Sequence, residues 1–568
     1  MAAVDSTRDF ICANWDQGNQ ECCRTGKYAC KSCLLVLYCG SACQRAHWKV
    51  HKLDCRDNPL LKANWRPQWE TENRIPAFIG GPRLQTFNHQ KKYLWGNMPA
   101  FDLLNLSVNE GLDYRKDLNL LFAASGDIRN VVKTVTSIPE AFRNPVKIYM
   151  NDRDCDVVGR NAIMLLLALT EDDTATATEN IIHLWYSAFI PQSLQDTLKG
   201  KIHDMVQTIC VKIESKSPDI ILGKTWTFGS RSLRLVLAKK QWLKLLASLE
   251  PPHGLTTQRA QEVRRNVTLA PQRVDFRERK YFGQPPGHRA SAQKFREDGM
   301  LLPFGTPRDS LTIPNPTLFR DINSWPLKDD ADPLHGWRMS EILGVSSGAA
   351  TNDIYGKLVL LLKDIVTRFC HRLESSNVSF HLLNVDARDL HSYVGPVSFD
   401  RIEVSNISDA GYLGMPHTID YIGHLLKKPD ENPHATLVVL FLNAVDEIFD
   451  DDEKRKVFLS EMKQVCKYLP PQPPNGNYDA NIIVSDIASQ QVRDVDKYFD
   501  RYTKLHNFAL ITDMSDMEFK NRNTIIEPWP LRLKKKPHQR GAKEEFATLL
   551  SSGHSGCERY MEWRLKLE

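Results

Sequence analysis

The sequence predicts an α/β protein in which a small metal-bound module precedes a large body built on a parallel sheet. Apolar runs alternate with amphipathic segments between residues 119 and 169, the pattern of strands connected by helices. Three further apolar runs, near 379–385, 400–404 and 436–442, extend that sheet. Eight of the 13 cysteines lie between residues 12 and 55, and this short segment is the metal-bound module.

The N-terminal cysteines and one histidine have the spacing of metal ligands. Gaps of 9, 7, 2, 5, 3, 7 and 3 residues separate Cys12, Cys22, Cys30, Cys33, Cys39, Cys43, His51 and Cys55. Thiolate sulfur and imidazole nitrogen are the donors that zinc prefers, and eight ligands make two tetrahedral Zn²⁺ sites. The segment has too little apolar surface to fold alone, so each site must supply about 10–16 kcal/mol of folding free energy.

A disulfide framework is the alternative interpretation, and it requires an oxidising compartment. The first ten residues, MAAVDSTRDF, lack the basic-then-apolar layout of a signal peptide. The other five cysteines are scattered singly, as reduced thiols are. These observations favour zinc and predict an intracellular protein of the cytoplasm, the nucleus or both.

The residues around the ligands resemble a MYND-type zinc finger. The matching elements are Tyr38-Cys39, Cys43-Gln44, Trp48 and His51-Lys52-Leu53-Asp54-Cys55. The resemblance implies interleaved ligation, with Cys12, Cys22, Cys39 and Cys43 on one zinc and Cys30, Cys33, His51 and Cys55 on the other. MYND fingers commonly open with Cys-x2-Cys, whereas a long loop ending in Cys22-Cys23 follows Cys12 here. Either cysteine fits as second ligand, and Gly26 favours Cys22; His47 does not fit the family spacing.

The resemblance also implies what the finger does. Both sites have four protein ligands and no open position, so they are structural rather than catalytic. MYND fingers bind short proline-containing peptides, largely by adding an extended strand to a sheet edge. Gln44 and Trp48 match the family's peptide contacts, and Leu34–Leu37 is the expected receiving strand. Packing over the second zinc is the alternative role of Trp48.

Charge and hydropathy argue against two classes of partner. The formal net charge is +5, and seven ligated thiolates with two Zn²⁺ ions lower it to about +2. No basic excess remains to drive binding to nucleic acid phosphates. No apolar run approaches the roughly 18 residues that span a bilayer. Neither nucleic acid nor a membrane is therefore expected as a partner.

Changes in composition divide the chain into six segments. They are the finger (1–62), an aromatic, Pro- and Gly-containing connector (63–92), a first part of the α/β body (93–175), a mainly helical insertion (176–378), a second part of the body (379–450) and a C-terminal helical extension (451–568). Within the insertion, the Arg-rich stretch 264–289 is expected to be a solvated loop packed around the core.

The body's first unit has the clearest pattern. Residues 119–124 predict a buried strand, 125–127 a tight turn and 128–138 a helix. A second strand over 146–150 and a second helix over 157–169 follow. Strand and helix thus alternate as in a βαβ unit.

Several motifs of the body resemble an uncharacterised domain that follows MYND fingers in many fungal proteins and recurs in axonemal dynein assembly factors. They are Trp95-Gly96-Asn97, Pro99–Leu104, Ala124–Asn130, Asn151–Asp154, Phe399–Asn406 and Asn432–Thr436. The resemblance covers most of residues 90–450, discontinuously. It implies a fungal source and an adaptor or assembly-factor role, and it identifies the domain better than its chemistry.

The layout also looks like a Rossmann-type methyltransferase. In such folds the turn after the first strand holds part of S-adenosylmethionine, and an acid after the second strand binds ribose hydroxyls. Ser125-Gly126-Asp127 occupies the first place and Asp152 or Asp154 the second. Asp386 falls where an acid near the adenine would lie, and Ser405-Asn406 borders the expected crevice.

Two observations argue against catalysis. The turn has one glycine, with Ala123, Ala124 and Ser125 where others are expected for close approach to a cofactor. Ser405–Ser408 stands where a substrate motif of Asn or Asp, two prolines and an aromatic is expected. Fold analogy alone does not establish an activity. We therefore predict a zinc-binding interaction protein on a non-catalytic Rossmann-like scaffold, with an S-adenosylmethionine-dependent methyltransferase as the alternative.

Overall fold

The strands within the described residues form one large sheet and two small ones. The computed structural model describes residues 10–15, 22, 24–79, 92–471 and 476–567. The strands are β1 (Tyr28–Ala29), β2 (Leu37–Tyr38), β3 (Leu118–Ala123), β4 (Val146–Asn151), β5 (Phe189–Pro191), β6 (Ile221–Phe228), β7 (Arg231–Ala238), β8 (Leu311–Pro314), β9 (Val378–Leu383), β10 (Arg401–Glu403), β11 (Thr436–Phe441), β12 (Met517–Phe519) and β13 (Arg559–Leu565). β1 pairs with β2 and β5 with β8, and the others make the large sheet.

The large sheet has a parallel centre. Its strand order is β12-β13-β11-β10-β3-β4-β9-β7-β6, and the strands from β11 to β7 run parallel. The pairs β6–β7, β11–β13 and β12–β13 are antiparallel. The order reverses at β3 and β10, because β4 lies on one side of them and β11 on the other. In α/β sheets such a reversal opens a crevice at the carboxyl ends of the strands, so the fold is compatible with a Rossmann-like layout.

Helices cover both faces of this sheet. They are α1 (Ser41–Asp54), α2 (Gln68–Thr71), α3 (Arg129–Ser137), α4 (Cys155–Thr170), α5 (Thr174–Tyr186), α6 (Gln192–Thr197), α7 (His203–Lys212), α8 (Lys239–Ala247), α9 (Thr257–Thr268), α10 (Val274–Phe282), α11 (Pro286–Asp298), α12 (Met339–Gly344), α13 (Ile354–Glu374), α14 (Leu390–Val394), α15 (Met415–Ile422), α16 (Ala444–Ile448), α17 (Asp451–Val465), α18 (Ala480–Ala488), α19 (Val495–Leu505), α20 (Phe508–Met514) and α21 (Ala542–Ser552). Among the described residues, no helix combines the length and the apolar character needed to cross a membrane.

Alternate residues of β3 serve two different cores. Leu120 and Phe122 join the core that includes α3, α4, α5 and α13, whereas Leu121 and Ala123 join the core on the opposite face. Successive side chains of a strand point to opposite faces, so a strand covered on both sides must be apolar throughout. For this reason the apolar runs predicted the central strands, and β3, β4, β9, β10 and β11 begin and end within two residues of the predicted bounds.

Two parts of the sheet depart from the sequence prediction. The segment 176–378, expected to be mainly helical, contributes the hairpin β6–β7, which joins the sheet beside β9. The C-terminal segment 451–568, expected to be helical, also supplies β12 and β13. Strand formation depends on packing against neighbouring strands more than on local propensity. The partner β11 therefore decides the structure of the last strand, whose Trp563 is fully buried.

Candidate functional site

The finger, residues 1–62, brings the expected ligand atoms together in two groups. One group is formed by Cys12, Cys22, Cys39 and Cys43, and the other by Cys30, Cys33, His51 and Cys55. Within each group the ligand atoms all lie within 4.8 Å of one another. The Cys39 and Cys43 sulfurs are 3.4 Å apart, and the Cys33 sulfur is 3.5 Å from His51 Nε2. A zinc tetrahedron with ~2.3 Å Zn–S bonds has edges of about 3.8 Å.

The donor chemistry of both groups fits Zn²⁺. Four sulfurs, or three sulfurs and one imidazole nitrogen, leave no open coordination position, so both sites are structural. Burial lowers the pKa of His51 to about 4, which keeps the ring neutral, as a metal ligand must be. His47 lies beside this group, but its Nδ1 atom is 3.0 Å from the Tyr38 hydroxyl. Cys23, the alternative ligand, lies outside the described residues.

A short hairpin and one helix position these ligands. Cys30 and Cys33 lie in the turn between β1 and β2, and Cys43 and His51 lie two helical turns apart on α1. The hairpin needs a glycine at Gly26, because a Cβ there would lie 2.5 Å from the Cβ of Leu37. This close approach gives Gly26 a physical role in the finger.

The finger packs against the body through the run Leu34–Leu37. Leu35 and Val36 are 1% and 3% exposed and share one core with Phe304 of the body. The backbone at Gly305 comes so close that a Cβ there would lie 3.3 Å from Val36 Cγ1. This apolar face is therefore covered by the protein's own body.

Backbone groups of the same run are also engaged. The carbonyl of Leu34 accepts a hydrogen bond from the amide of Asn352 (3.1 Å), and the carbonyl of Leu37 accepts one from the amide of Ala13 (2.8 Å). A strand edge can receive a peptide only through unpaired backbone groups. The structure thus corrects the expectation that Leu34–Leu37 is the receiving strand, since the run attaches the finger to the body.

The predicted peptide contacts lie on α1. Gln44 and Trp48 are one helical turn apart, and both are partly exposed. The ring of Trp48 lies edge-on to that of His51, with centroids 6.0 Å apart, and the Arg56 guanidinium lies 6.0 Å from the Trp48 ring. Trp48 therefore packs beside the second zinc group and still reaches solvent, so its two predicted roles are compatible.

The body contains a crevice at the carboxyl ends of its central strands. It has a volume of about 920 Å³ and is bordered by the segments that follow β3, β4, β9, β10 and β11. The predicted cofactor residues Gly126, Asp152, Asp154 and Asp386 line it, as does the pair Ser405-Asn406. The sheet therefore brings these residues together at the reversal of strand order, as the α/β layout predicts.

The acids of the crevice already have partners. Asp152 accepts hydrogen bonds from the amides of Gly126 (3.1 Å) and Asp154 (2.8 Å), and burial raises the pKa of Asp152. Lys92 Nζ lies 3.1 Å from Asp154. Hydrogen bonds from Arg388, 2.9 Å away, lower the pKa of Asp386. The amide of Gly126, the one glycine of the turn, is thus already hydrogen-bonded to Asp152.

Asp127, also predicted to hold a cofactor, lies outside the crevice. It is 4% exposed and accepts hydrogen bonds from the amide of Gly96 (2.8 Å) and from Trp185 Nε1 (3.1 Å). Arg129 donates to its second oxygen. A buried carboxylate with all these donors joins three segments of the body, so its role is structural. The sequence suggested that Asp127 contacts a cofactor because this residue directly follows Gly126 in the turn after β3.

Backbone strain marks both strands at the reversal. Ala124, directly after β3, has φ = 58°, and Ser405, just after β10, has φ = 50°. Left-handed backbone at a non-glycine residue costs about 1–3 kcal/mol and often accompanies ligand sites. Both residues line the crevice.

A buried ion network lies at the opposite, amino-terminal ends of the strands. Arg401 Nη2 is 2.7 Å from Glu110 Oε2, and these side chains are 0% and 1% exposed. Asp400 accepts hydrogen bonds from Lys427 Nζ (2.8 Å) and Asn432 Nδ2 (2.7 Å). Asp400, Arg401 and Asn432 belong to motifs on which the domain resemblance rests. These motif residues therefore hold the sheet together, far from the crevice end.

Comparison with known families identifies two parts of the chain. The MYND finger family matches residues 16–55, and DUF4470, a domain of unknown function, matches residues 94–190. The chain thus carries a MYND zinc finger followed by a DUF4470 domain. The second match spans β3, α3, β4, α4 and α5, and so includes two of the six strands that run parallel in the large sheet.

Similarity to curated proteins is limited to short stretches. The chain is 24% identical to dynein axonemal assembly factor 3 of Danio rerio over 126 residues, 22% of this chain and 26% of that protein. It is 38% identical to the N-lysine methyltransferase SMYD2 of Mus musculus over 50 residues, 8% of this chain and 12% of that protein. The chain thus spans about a quarter or less of these relatives. No solved structure matches.

Proposed function

We propose that this chain, which joins a MYND finger to a DUF4470 domain, is an adaptor or assembly factor that binds a protein partner through its finger. The partner's docking segment is a short proline-containing peptide that lies on Gln44 and Trp48 of α1. The zinc sites hold the shape of the finger, and the body holds the finger through Leu34–Leu37. The Rossmann-like body serves as a scaffold.

The orientation of the finger carries this proposal. Its β2 side is buried on the body, whereas Gln44 and Trp48 remain partly exposed. The side-chain amide of Gln44 makes no hydrogen bond with any described residue, so its donors and acceptor are available to a peptide backbone. A partly exposed tryptophan is a common anchor for a protein partner, and its flat face suits proline.

The relatives support a role in assembly. MYND fingers are protein-interaction modules, and the match to dynein axonemal assembly factor 3 extends over 126 residues. The match to SMYD2 covers 50 residues of this chain, too short a stretch to bring a methyltransferase activity with it. We place the protein in the cytoplasm or the nucleus, because zinc-bound thiolates persist where thiols stay reduced.

Peptide selection on the zinc-loaded full chain tests this function. A displayed library with a fixed central proline supplies ligands, and the dissociation constant of the best one is measured for each variant. We expect Gln44→Ala to weaken binding about tenfold and Trp48→Ala more, since interface tryptophans carry large shares of binding energy.

Lys49→Ala is the matched control, because Lys49 is exposed on the same helix and lies away from Gln44. It should keep wild-type affinity, and every variant should retain two zinc ions. Equal affinity of the wild type, Gln44→Ala and Trp48→Ala would refute the proposed peptide surface.

A second candidate function is binding of S-adenosylmethionine in the crevice. The crevice volume of about 920 Å³ and the strained Ala124 and Ser405 favour a ligand there. Calorimetric titration of the zinc-loaded chain with S-adenosylmethionine measures it directly. Micromolar binding that Asp152→Ala abolishes would establish a cofactor site, whereas the absence of binding would leave the body as a scaffold.

A further inference from the structure

The Arg-rich stretch 264–289 is not the solvated loop that the sequence predicts. It forms the end of α9, the whole of α10 and the start of α11. Three of its arginines, Arg264, Arg273 and Arg289, are 2%, 7% and 4% exposed. Arginine is rarely buried unless it is paired. The partners of the cations in this stretch therefore show whether any of them lacks a counter-charge.

A pocket of about 290 Å³ opens between α10, α11, α18 and the segment after α21. Five cationic side chains line it: Arg273, Arg277, Arg279, Lys280 and Arg296. Only two carboxylates, Asp329 and Asp330, face the same space. The pocket therefore carries an excess of positive charge inside a protein whose overall charge is nearly balanced.

Three of the five cations form no ion pair with a described carboxylate, and one of these, Arg296, donates instead to the backbone carbonyls of Thr268 and Asp329. Arg273 is paired with Asp329 at 2.8 Å, and Lys280 with Asp332 at 3.0 Å. Among the described residues, Arg277 makes no hydrogen bond or ion pair. Burial lowers the pKa of its guanidinium, which means that the surroundings disfavour the charged form.

Arg279 is held by aromatic rings. Its guanidinium lies 4.6 Å from the ring of Phe78 and 5.8 Å from that of Phe276. No described carboxylate forms an ion pair with it. Stacking fixes the position of the guanidinium and leaves its hydrogen-bond donors without a described partner.

Unpartnered polar atoms surround the same space. They are Arg277 Nη1, Gln284 Oε1, Asp329 Oδ1, Gln491 Oε1 and His554 Nε2, all buried and without a hydrogen-bond partner in the described structure. A buried polar group without a partner destabilises the folded protein. A phosphate oxygen would supply the missing acceptor for Arg277 Nη1, whereas the three oxygens need donors, which the carbon part of a ligand must carry.

Described acids near these arginines offset part of their charge. Glu278 and Asp329 favour the charged form of Arg277, and Asp486 favours that of Arg279. None of these acids forms an ion pair with Arg277 or Arg279, so a bound anion would supply the partner that each of them lacks.

We propose that this pocket binds a small phosphate ester that carries at least two negative charges. Arginine presents a planar fork that matches phosphate oxygens, and Arg277 and Arg279 are the two pocket arginines whose forks make no hydrogen bond within the described structure. Val484, Ile487 and Leu550 also line the pocket and provide an apolar wall for the carbon part of the ester. The volume lies at the lower end for small-molecule sites, which limits the ligand to a compact one.

Calorimetric titration of the zinc-loaded full chain with inorganic phosphate and with pyrophosphate tests this site. We expect saturable binding that is tighter for pyrophosphate and at least tenfold weaker in Arg277→Gln. The matched control is Arg265→Gln, because Arg265 belongs to the same stretch but is exposed and outside the pocket. It should bind within twofold of the wild type, and all variants should retain their zinc.

Thermal unfolding provides a second readout that a purely structural arginine would not give. Without a ligand, Arg277→Gln should melt at a higher temperature than the wild type, because it removes an unpaired cation from a half-buried site. With pyrophosphate present, the melting temperature of the wild type should rise and that of the variant should not. Absence of saturable binding, or equal weakening in Arg277→Gln and Arg265→Gln, would overturn the proposal.

Discussion

Removal of zinc is expected to unfold the finger while leaving the body folded. Of the ten buried residues in the core of the finger, four are ligand cysteines and two belong to the body. The few apolar side chains that remain cannot offset the loss of about 10–16 kcal/mol per structural site. The finger should therefore detach from Phe304 and become open to proteases.

Zinc content and limited proteolysis measure this outcome. The wild type should contain two zinc ions per chain, and Cys33→Ser should lose zinc and be cleaved rapidly within residues 24–62. Cys466→Ser is the matched control, because Cys466 is exposed and lies outside both ligand groups. Full zinc content and slow cleavage in Cys33→Ser would show that the assigned ligand set is wrong.

Substitution of Glu110 by Gln should destabilise the body by about 3–5 kcal/mol, because it leaves the buried Arg401 charge unpaired. Arg401 also donates to the backbone carbonyls of Asp400 (2.9 Å), His434 (2.8 Å) and Leu104 (3.1 Å), so it cannot move to water without breaking these contacts. In Glu110→Gln the positive charge of Arg401 must therefore stay buried without a carboxylate partner. Denaturant unfolding of the body measures the difference.

The effect of this substitution should depend on pH. Burial by itself raises the pKa of Glu110, but the nearby Arg401 outweighs it, and the pKa is lowered from 4.5. The pair therefore contributes its full stability above pH 4.5 and loses it as the pH falls through the lower, folded-state pKa. The difference in free energy of unfolding between the wild type and Glu110→Gln should therefore become smaller at acid pH.

Asp364→Asn is the control, because it breaks an exposed ion pair, Arg368–Asp364. It should lower the free energy of unfolding by less than about 1 kcal/mol. A similar loss of stability in Glu110→Gln and Asp364→Asn would contradict the proposed network.

The sequence predicts those parts of the fold that depend on local patterns. The central strands are apolar throughout because helices cover both faces, and the ligand cysteines are recognisable because zinc geometry restricts their spacing. The strand β13 carries no comparable signal, because Arg559–Leu565 mixes apolar and charged residues and becomes a strand by pairing with β11. Where local sequence patterns do not predict the secondary structure, contacts between distant segments determine it.

The candidate sites show the same limit. Leu34–Leu37 has the composition of a receiving strand, and nothing near it in sequence indicates that Phe304 and Asn352, some 270 and 320 residues away, cover it. The charge of Arg277 is visible in the sequence, but its lack of a partner depends on the packing of α10, α11 and α18. Gly126 and Asp152 meet as predicted, because parallel strands end at one edge of the sheet.

Amide hydrogen exchange of the zinc-loaded chain, with and without a saturating proline-containing peptide, separates the two possible peptide surfaces. Residues 34–37 should exchange slowly in both states, because the body covers them, and the peptide should slow exchange around Gln44 and Trp48. That result would support a finger that is attached to the body through Leu34–Leu37 and binds the peptide through α1. A peptide that changes exchange at residues 34–37 and leaves α1 unaffected would show that the strand is the binding surface and that the finger leaves the body to bind.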